Sequence, residues 1–478
     1  MAQRNLIVIV ADTLRDPKPL QNGGPPLMPF LEEFARDGVR LDRLLASSSW
    51  TAPSHVSLLT GTDPWETHFE LPGAPKRPKT GESLADRWTK EGGVSAAFSA
   101  NFVVTPVLGT ATGYTRFNPG FPSTQAGQLQ LAMQFLGYEK MLYWAVGAGA
   151  RSGRRPLARL GAGGLTLLGT GACRTIGAMR SGPTLVRSLG KFLGRRPRVG
   201  AKPLHVFMNL VESHEPYLLG DNGGPAGGPR TLANLPSINL ARLTDALAPA
   251  SEPSGFLQAY RESLPKLDAV LRDLVATLKR HGALDNAVLM FLSDHGQSLG
   301  EHGFYGHGYR LYDELVKIPG YLWEFRDGRP VTIPSPPSDW VDHRHVFDLL
   351  ASATPDGAPI DPSEVLSSSL LRRGPAASYF EGPAPRPPGG FVFRAPQTNV
   401  YRLLRIQAGD SLAMLSSDVE GGQLKEVSAD SPDPVSPDLA DIGRQILSQI
   451  KVAAASSSPE QAELDAQVDA RLKSWGYD

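Results

Sequence analysis

The stretch LIVIVAD, residues 6–12, decides the fold, because it is an unbroken apolar run that ends in an acid. A second apolar run, residues 287–292, leads into Ser-Asp-His-Gly at 293–296. Such runs are typical of parallel strands that are covered on both faces, and ligands of open α/β sheets bind just beyond their carboxyl ends. The sequence therefore predicts that Asp12, Asp294 and His295 meet at one edge of a sheet. Two carboxylates and an imidazole at one point indicate a metal site.

Residues 49–61, SWTAPSHVSLLTG, predict a short helix with a hydroxyl at its start. Pro53 suits a first helical position and Gly61 a helix end, which leaves Thr51 beside the N-terminus. A hydroxyl there faces unpaired N–H groups and the positive end of the helix dipole. Contact with a divalent cation would make its alkoxide accessible near neutral pH. Thr51 is therefore the predicted nucleophile; the alternative is a capping threonine without chemistry.

Four segments together resemble one known family: DTLR at 12–15, WTAPSH at 50–55 with LTG at 59–61, NLVESHEPY at 209–217 and SDHGQSLGEHGFYGHG at 293–308. In this order they resemble the sulfatase-like branch of the alkaline phosphatase superfamily. The resemblance implies an α/β fold with a large mixed, mostly parallel sheet between helices and a small C-terminal α+β subdomain.

One departure from the family pattern concerns the nucleophile. Sulfatases of this branch carry Cys or Ser at the position of Thr51 and oxidise it to formylglycine, an aldehyde that Thr cannot yield. The one cysteine, Cys173, lies elsewhere. An unmodified Thr resembles the phosphodiesterases, phosphomutases and phosphoethanolamine transferases of the superfamily, which pass through a phospho-enzyme. His55 stands where the sulfatase motif usually has Arg, and is a candidate for stabilising the nucleophile.

The resemblance also implies a metal set, with Asp12, Asp294 and His295 as ligands and Thr51 as an exchangeable fourth. This mix suits one divalent ion, either Zn²⁺, Mn²⁺, Mg²⁺ or Ca²⁺. A second cluster of Glu212, His214 and His307 matches the spacing of two-metal relatives poorly, so one ion is expected.

Further polar residues are predicted to line the same site. The family positions that match His214 and His307 contact the transferred oxyanion or its leaving group. His302 lies in the same Gly-rich loop as His307, and all three histidines are predicted to converge on the rim of the site. Asn101 follows a predicted strand at 94–100 and is a candidate substrate-binding residue, as an oxyanion donor.

Length and composition bound the class of protein. The 478 residues are enough for one large domain and a smaller one. We expect a catalytic α/β domain at 1–330, a Pro/Gly-rich connecting region at 331–390 and the C-terminal subdomain at 391–478. Lys and Arg together number 48, as do Asp and Glu, so no nucleic-acid partner is predicted. A single cysteine and a short stretch before the first strand, without room for a secretory signal, predict a cytoplasmic location.

A basic segment at about 140–202 interrupts the catalytic domain. Between Glu139 and Glu212 the chain has 13 Lys and Arg and no acid. Its apolar run at 160–173 is too short to span a bilayer, so no transmembrane segment is expected. Three interpretations remain open: a solvated insertion, a basic surface that attracts an anionic substrate, and a peripheral membrane contact.

Local periodicity predicts further elements. The predicted helices are 28–37, 82–90, 256–281, 439–453 and 459–475, and the predicted strands beyond those above are 204–211, 400–406 and 411–415.

These observations predict a cytoplasmic, metal-dependent hydrolase or transferase that acts on a small anionic phosphate or phosphonate ester. Thr51 would attack phosphorus while His214, His302 or His307 stabilises the oxyanion or protonates the leaving group. Two alternatives stay open: a sulfate-ester hydrolase that works without formylglycine, and a non-catalytic relative that binds an anion. The sequence predicts no oligomeric state.

Overall fold

The computed structural model of the chain describes residues 3–67, 81–101, 103–106, 109–119, 182–196, 202–214, 256–303, 305–308, 310–383, 400–418, 424–426 and 436–454. The strands in this part of the chain are β1 (Asn5–Ala11), β2 (Val39–Arg40), β3 (Leu44–Leu45), β4 (Val94–Ser99), β5 (Arg116–Pro119), β6 (Leu204–Leu210), β7 (Asn286–Ser293), β8 (Ser298–Leu299), β9 (Tyr305–Gly306), β10 (Gly320–Arg326), β11 (Arg329–Val331), β12 (Val341–Asp342), β13 (Ala376–Pro383), β14 (Val400–Ala408), β15 (Ser411–Asp418) and β16 (Leu424–Glu426).

The α-helices in the same ranges are α1 (Pro17–Leu20), α2 (Pro29–Phe34), α3 (Thr51–Thr60), α4 (Leu84–Lys90), α5 (Gly182–Gly194), α6 (Phe256–Arg280), α7 (Asp313–Val316), α8 (His343–Ala351), α9 (Pro362–Arg373) and α10 (Pro437–Ala454).

The main sheet has the strand order β11-β10-β7-β1-β6-β4-β5, with β2 beside β10. The strands from β7 to β5 run parallel, and β10 pairs antiparallel with β7, β11 and β2. The strand β1 is central because its residues are apolar on both faces, so neither face can be left to solvent. The predicted fold class, a large mixed and mostly parallel sheet between helices, is confirmed.

Helices cover both faces of this sheet. Ile7 and Ile9 of β1 lie in one buried cluster with residues of α2, α5 and α6. Leu6 and Val8, which alternate with them, lie in a second cluster with residues of α3, α4, α8 and α9. Side chains of a strand alternate between faces, so β1 contributes to both cores. The strand ends are thereby fixed between two packed layers.

A separate antiparallel sheet of β13, β14, β15 and β16 follows the main sheet, and α10 packs on it through Leu439, Ala440 and Leu447. The strands predicted at 400–406 and 411–415 are present as β14 and β15, which pair antiparallel. The helix predicted at 459–475 lies outside the described residues.

Residues 331–390, predicted as a connecting region, contain β12, α8, α9 and β13. The helices α8 and α9 bury apolar residues such as Phe347 and Leu366 in the core beneath the main sheet, while β13 belongs to the C-terminal sheet. Pro and Gly mark the loops between these elements and not an absence of elements. The domain boundaries stay a prediction.

The basic segment is described only in part, because 140–181 and 197–201 lie outside the described residues. The described part, 182–196, contains α5, which packs on α6 through Leu185 and Leu189. In the part of the chain that the structure describes, no helix combines the length and the hydropathy needed to cross a membrane.

Candidate active site

Two acids follow neighbouring strands of the main sheet. Asp12 follows β1, Asp294 follows β7, and the register pairs Ala11 with Ser293. Parallel strands in this register deliver the two carboxylates side by side. Asp12, Asp294 and His295 are all fully buried, and one potential ligand atom of each lies within 4.8 Å of the others.

Each carboxylate has one oxygen held by the protein. The amide Nδ2 of Asn101 donates to Asp12 Oδ2 at 2.6 Å. The backbone N–H groups of Thr13 and His295 donate to Asp294 Oδ1 at 3.1 and 2.9 Å. The remaining oxygens, Asp12 Oδ1 and Asp294 Oδ2, are buried and have no hydrogen-bond partner.

This pair of carboxylates is electrostatically costly without a cation. Burial and the nearby charge of Asp12 raise the pKa of Asp294 well above its usual range. Buried acids are normally paired or bound to metal, because an uncompensated charge in a dry site is expensive. Two orphaned oxygens that point to one spot therefore fit a divalent cation.

One ring nitrogen of His295, Nε2, faces the same two carboxylates. Burial lowers its pKa to about 4, so the ring is neutral near pH 7. Its Nδ1 lies 2.9 Å from the carbonyl oxygen of Gly296, which can only accept, so Nδ1 carries the proton. The unprotonated Nε2 lies 3.4 Å from Asp294 Oδ2 and 3.8 Å from Asp12 Oδ1. A neutral imidazole fixed in this tautomer by a carbonyl is the usual form of a metal ligand.

Gly296 is required by the close packing behind His295. A Cβ atom at this position would lie 2.0 Å from the carbonyl oxygen of Glu314. The backbone N–H of Gly296 donates to Leu315 O, and that of Gln297 to Glu314 O. The segment after β7 is thereby pressed against α7, which fixes the direction of His295.

Thr51 is the first residue of α3 and is almost fully buried. The helix starts two residues before the predicted position, and Pro53 lies in its first turn, where a missing N–H costs no hydrogen bond. The predicted end at Gly61 is confirmed by its left-handed φ of 67°. The hydroxyl oxygen of Thr51 lies 3.3 Å from His295 Nε2, next to the carboxylate pair.

The loop before Thr51 is held by backbone hydrogen bonds from distant segments. Residues 46–49 bond to Val316 O, His343 Nδ1, the hydroxyl of Ser378, Tyr379 N and Gly308 N. His343 also spans from this loop to Ser293 O, at 3.1 Å from its Nε2. The position of Thr51 relative to Asp294 is therefore set by the fold as a whole.

His55 lies one turn along α3 and faces the interior. Its Nδ1 donates to Thr51 O at 2.9 Å, and its Nε2 accepts from Asn209 Nδ2 at 3.3 Å. Burial lowers the pKa of His55, so the ring is neutral. The imidazole contacts the backbone of Thr51 and brings no positive charge; its catalytic role stays a prediction.

Two of the three predicted rim histidines lie beside Asp12 and His295, two of the predicted metal ligands. His307 is 4.7 Å from His295 and 4.9 Å from His214, measured between ring centroids. His214 Nε2 lies 3.9 Å from Asp12 Oδ1. His307 Nδ1 lies 3.1 Å from Gln297 Oε1, which accepts its proton and orients the other nitrogen.

The third rim histidine, His302, has different neighbours. Its ring packs on Tyr312 at 4.3 Å between centroids, and its Nε2 lies 3.9 Å from Glu314 Oε2. The structure thus brings His214 and His307 together with His295, and places His302 against the segment around α7. A role for His302 stays a prediction.

A family model described as Sulfatase matches residues 4–128 and 198–343, more than half of the chain. The chain belongs to the sulfatase family. The resemblance that the four segments carry is thereby confirmed, and the fold agrees with it.

Individual relatives match this sulfatase-family chain over shorter stretches. Iduronate 2-sulfatase of Mus musculus is 31% identical over 126 residues, which cover 22% of this chain and 22% of that protein. Phosphoethanolamine transferase EptA of Escherichia coli strain K12 is 35% identical over 74 residues, 15% of this chain and 14% of the relative. The chain thus spans less than a quarter of the length of these curated relatives.

A solved structure matches over nearly the whole chain. The phosphonate monoester hydrolase SpPMH from Silicibacter pomeroyi superposes with a TM-score of 0.54 at 16% identity, covering 94% of this chain and 95% of its own. At this identity the likeness concerns the fold alone.

Several residues of this sulfatase-family site were not predicted from the sequence as functional. Asn209, Gln297, Tyr260 and His343 all contact the predicted site residues or the turns that carry them. Gln297 lies inside a family segment, so its position gave a signal. Tyr260 and His343 gave none, because the helical spacing of Tyr260 indicates only a buried ring and His343 only a core histidine.

Proposed function

We propose that this sulfatase-family protein is a metal-dependent hydrolase or transferase that acts on phosphate or phosphonate esters, with Thr51 as the nucleophile. The observation that carries the proposal is the position of the Thr51 hydroxyl, 3.3 Å from His295 Nε2 and beside two orphaned carboxylate oxygens. Thr bears a methyl group on Cβ, so its oxidation would give a ketone and not the formylglycine aldehyde. The side chain is therefore proposed to act unmodified.

Asp12, Asp294 and His295, with Thr51 as the fourth group, would hold the ion. When bound, a divalent ion would supply a Lewis acid that eases ionisation of the Thr51 hydroxyl and withdraws charge from the ester. The donor set of two carboxylates, one imidazole and one hydroxyl accommodates Zn²⁺, Mn²⁺, Mg²⁺ and Ca²⁺, and the identity of the ion is left open.

The residues of the chain have separate tasks in the proposed reaction. Thr51 Oγ1, having lost its proton to solvent, forms a bond to phosphorus as the bond to the leaving ester oxygen breaks. His214 or His307, beside His295, donates a proton to that oxygen. The first N–H groups of α3 face the developing charge on the phosphoryl oxygens. Water or another alcohol then takes the phosphoryl group from Thr51, which decides between hydrolysis and transfer.

Sulfate-ester hydrolysis without formylglycine is the second candidate. The local identity to iduronate 2-sulfatase supports it, since that relative is by name a sulfatase. A non-catalytic relative that binds an anion at the same residues is the third.

A substrate screen separates these functions. The purified protein, loaded in turn with each of the four ions, would be assayed with p-nitrophenyl phosphate, bis-p-nitrophenyl phosphate, p-nitrophenyl phenylphosphonate and p-nitrophenyl sulfate. We expect turnover of at least one phosphorus ester, dependent on the ion. Turnover of the sulfate alone would replace the first candidate by the second, and ion binding without any turnover would favour the third.

A further inference from the structure

Thr13, directly after Asp12, adopts a backbone conformation that its residue type disfavours. Its φ is 60°, in the left-handed region, although threonine is branched at Cβ. Such a conformation is strained and persists only where its surroundings hold it. The turn after β1 is therefore kept in place by contacts beyond the local sequence.

This turn orients the carboxylate pair. The backbone N–H of Thr13 donates to Asp294 Oδ1, which leaves Asp294 Oδ2 directed at His295 Nε2. The hydroxyl of Thr13 lies 2.7 Å from both Asp12 O and Ser213 O. If the left-handed turn relaxed, the N–H of Thr13 would leave Asp294, and the pair of orphaned oxygens would no longer face one point.

Tyr260 of α6 holds the carbonyl side of the same turn. Its hydroxyl donates to Thr13 O at 2.9 Å and accepts from Arg15 N at 2.8 Å. The ring is fully buried in the core between α6 and the sheet. Burial raises the pKa of the phenol, so the group is protonated and able to donate.

We infer that Tyr260 is a positioning residue for the metal ligands, acting through the strained turn at Thr13. The inference rests on the proposed function, because it concerns how well Asp12 and Asp294 are presented to an ion. Helix α6 thereby connects the packing of the core to the geometry of the site, through the bonds of the Tyr260 hydroxyl to Thr13 O and Arg15 N.

The test is the affinity of the full-length protein for Mn²⁺ and for Zn²⁺, measured by titration of the metal-free protein. Tyr260→Phe keeps the ring and removes only the hydroxyl, and we expect about 10- to 100-fold weaker binding, as for other groups behind metal ligands. Tyr114→Phe is the matched control. The hydroxyl of Tyr114 also makes a part-buried hydrogen bond, 3.1 Å from His205 Nε2, and His205 is not one of the proposed metal ligands. The metal affinity of Tyr114→Phe should stay within about threefold of the parent.

A second pair of variants tests the route through Thr13. Glycine adopts left-handed φ freely, so in a Thr13→Gly background the turn needs no external support. Adding Tyr260→Phe to that background should change the metal affinity by less than about threefold. The hydroxyl bonds of Thr13 are missing from both members of this pair, so they cancel from the comparison.

The outcomes separate the inference from the proposed function. If the parent binds neither ion, the proposed function fails. If the parent binds and Tyr260→Phe binds equally well, the inference is wrong. If Tyr260→Phe folds only in the Thr13→Gly background, and binds the ion there as tightly as Thr13→Gly alone, the rescue supports the route through Thr13. A tenfold loss that remains in that background overturns the inference.

Discussion

The hydroxyl oxygen of Thr51 lies 3.3 Å from Nε2 of His295. This nitrogen is unprotonated, because the other ring nitrogen, Nδ1, carries the proton and donates it to Gly296 O. The proposed nucleophile thus lies within hydrogen-bond distance of a proposed metal ligand, and that ligand is grouped with the carboxylates of Asp12 and Asp294.

Replacing Thr51 tests the nucleophile. We expect Thr51→Ala to lower kcat by about a thousandfold or more, because the residue that forms the covalent bond is lost. Thr51→Ser keeps the hydroxyl and should retain measurable turnover. Acid quenching of the parent during turnover, followed by peptide mass analysis, should detect phosphothreonine at residue 51.

The control on the same helix is Thr60→Ala, because Thr60 Oγ1 bonds within the helix to Val56 O. It should leave kcat unchanged. If Thr51→Ala stays within about tenfold of the parent, the hydroxyl contributes under ~1.4 kcal/mol to the barrier, and another group attacks the ester.

Removing one carboxylate charge tests the metal site. Asp294→Asn should abolish binding of a divalent ion, since one anionic ligand is lost. The metal-free variant should nevertheless melt at a higher temperature than the metal-free parent, because a neutral amide beside Asp12 removes the repulsion of two buried like charges. Elemental analysis and calorimetry of the dialysed proteins measure the two effects.

Asp268→Asn is the matched control for that variant. Asp268 is also a buried acid, but it accepts from Phe30 N and Leu31 N at the start of α2. It should lose stability and keep the ion. Full metal occupancy in Asp294→Asn would remove Asp294 from the ligand set.

Replacing Asn101 distinguishes between two roles of its side-chain amide. The sequence predicts a substrate-binding donor, whereas the structure has its Nδ2 donating to Asp12 Oδ2. If the amide serves Asp12, Asn101→Ala should weaken metal binding by about tenfold, and activity should recover at saturating metal. An unchanged metal affinity with a raised KM at every metal concentration would instead support the substrate-binding role.

The sequence predicted which strand ends carry the site residues, but it did not predict which polar side chains from different elements bond to each other. Asp12 and Asp294 follow apolar runs, so strand patterning alone located them. The bond from Asn101 to Asp12 joins residues in separate βα units, and the neighbours of His302 depend on how the loop folds onto Tyr312. Hydrophobic periodicity reports which side of an element is buried and carries no information on which polar atoms meet there. For the same reason the helical spacing indicates that the ring of Tyr260 is buried but predicts no hydrogen-bond partner for its hydroxyl.

The contact between α8 and α9 should weaken in acid, because Asp348 becomes protonated. Burial alone would raise the pKa of Asp348, but hydrogen bonds from Arg373, Ser369 and Arg372 lower it to about 2. A carboxyl whose folded pKa is depressed stabilises the fold above its unfolded value near ~3.9, and that contribution is lost as pH falls toward about 2. Asp348→Asn should therefore melt below the parent at pH 7, with the difference closing between about pH 4 and 2.

Asp273→Asn provides the comparison for that pH series. Asp273 pairs with Arg272 on the surface, with both side chains 60% exposed. A surface pair of this kind contributes little, so its melting temperature should follow the parent at every pH. A difference in melting temperature between Asp348→Asn and the parent that stays constant across the pH series would contradict the assignment of this acid sensitivity to Asp348.

Substitutions on the exposed face of α5 test whether the described part of the basic segment attracts an anionic substrate. Arg187 and Lys191 are exposed, as is Arg195 just beyond the helix, at intervals of four residues. If this face attracts an anionic ester, changing all three to Gln should raise KM at low salt and leave kcat unchanged. At ~0.15 M salt, screening over about 8 Å should remove most of the difference. Equal KM values at low salt would favour a solvated insertion.

The hydrogen bonds that fix the loop before Thr51 bear on how the protein is made. Thr51 is synthesised early, but its loop is closed by Gly308, Val316, His343 and the β13 residues Ser378 and Tyr379. During translation, chains emerge from the N-terminus and fold domain by domain. Thr51 therefore leaves the ribosome well before the contacts that position it can form. A nascent chain or fragment that ends before β13 consequently lacks the hydrogen bonds from Ser378 and Tyr379 that help to hold the loop before Thr51.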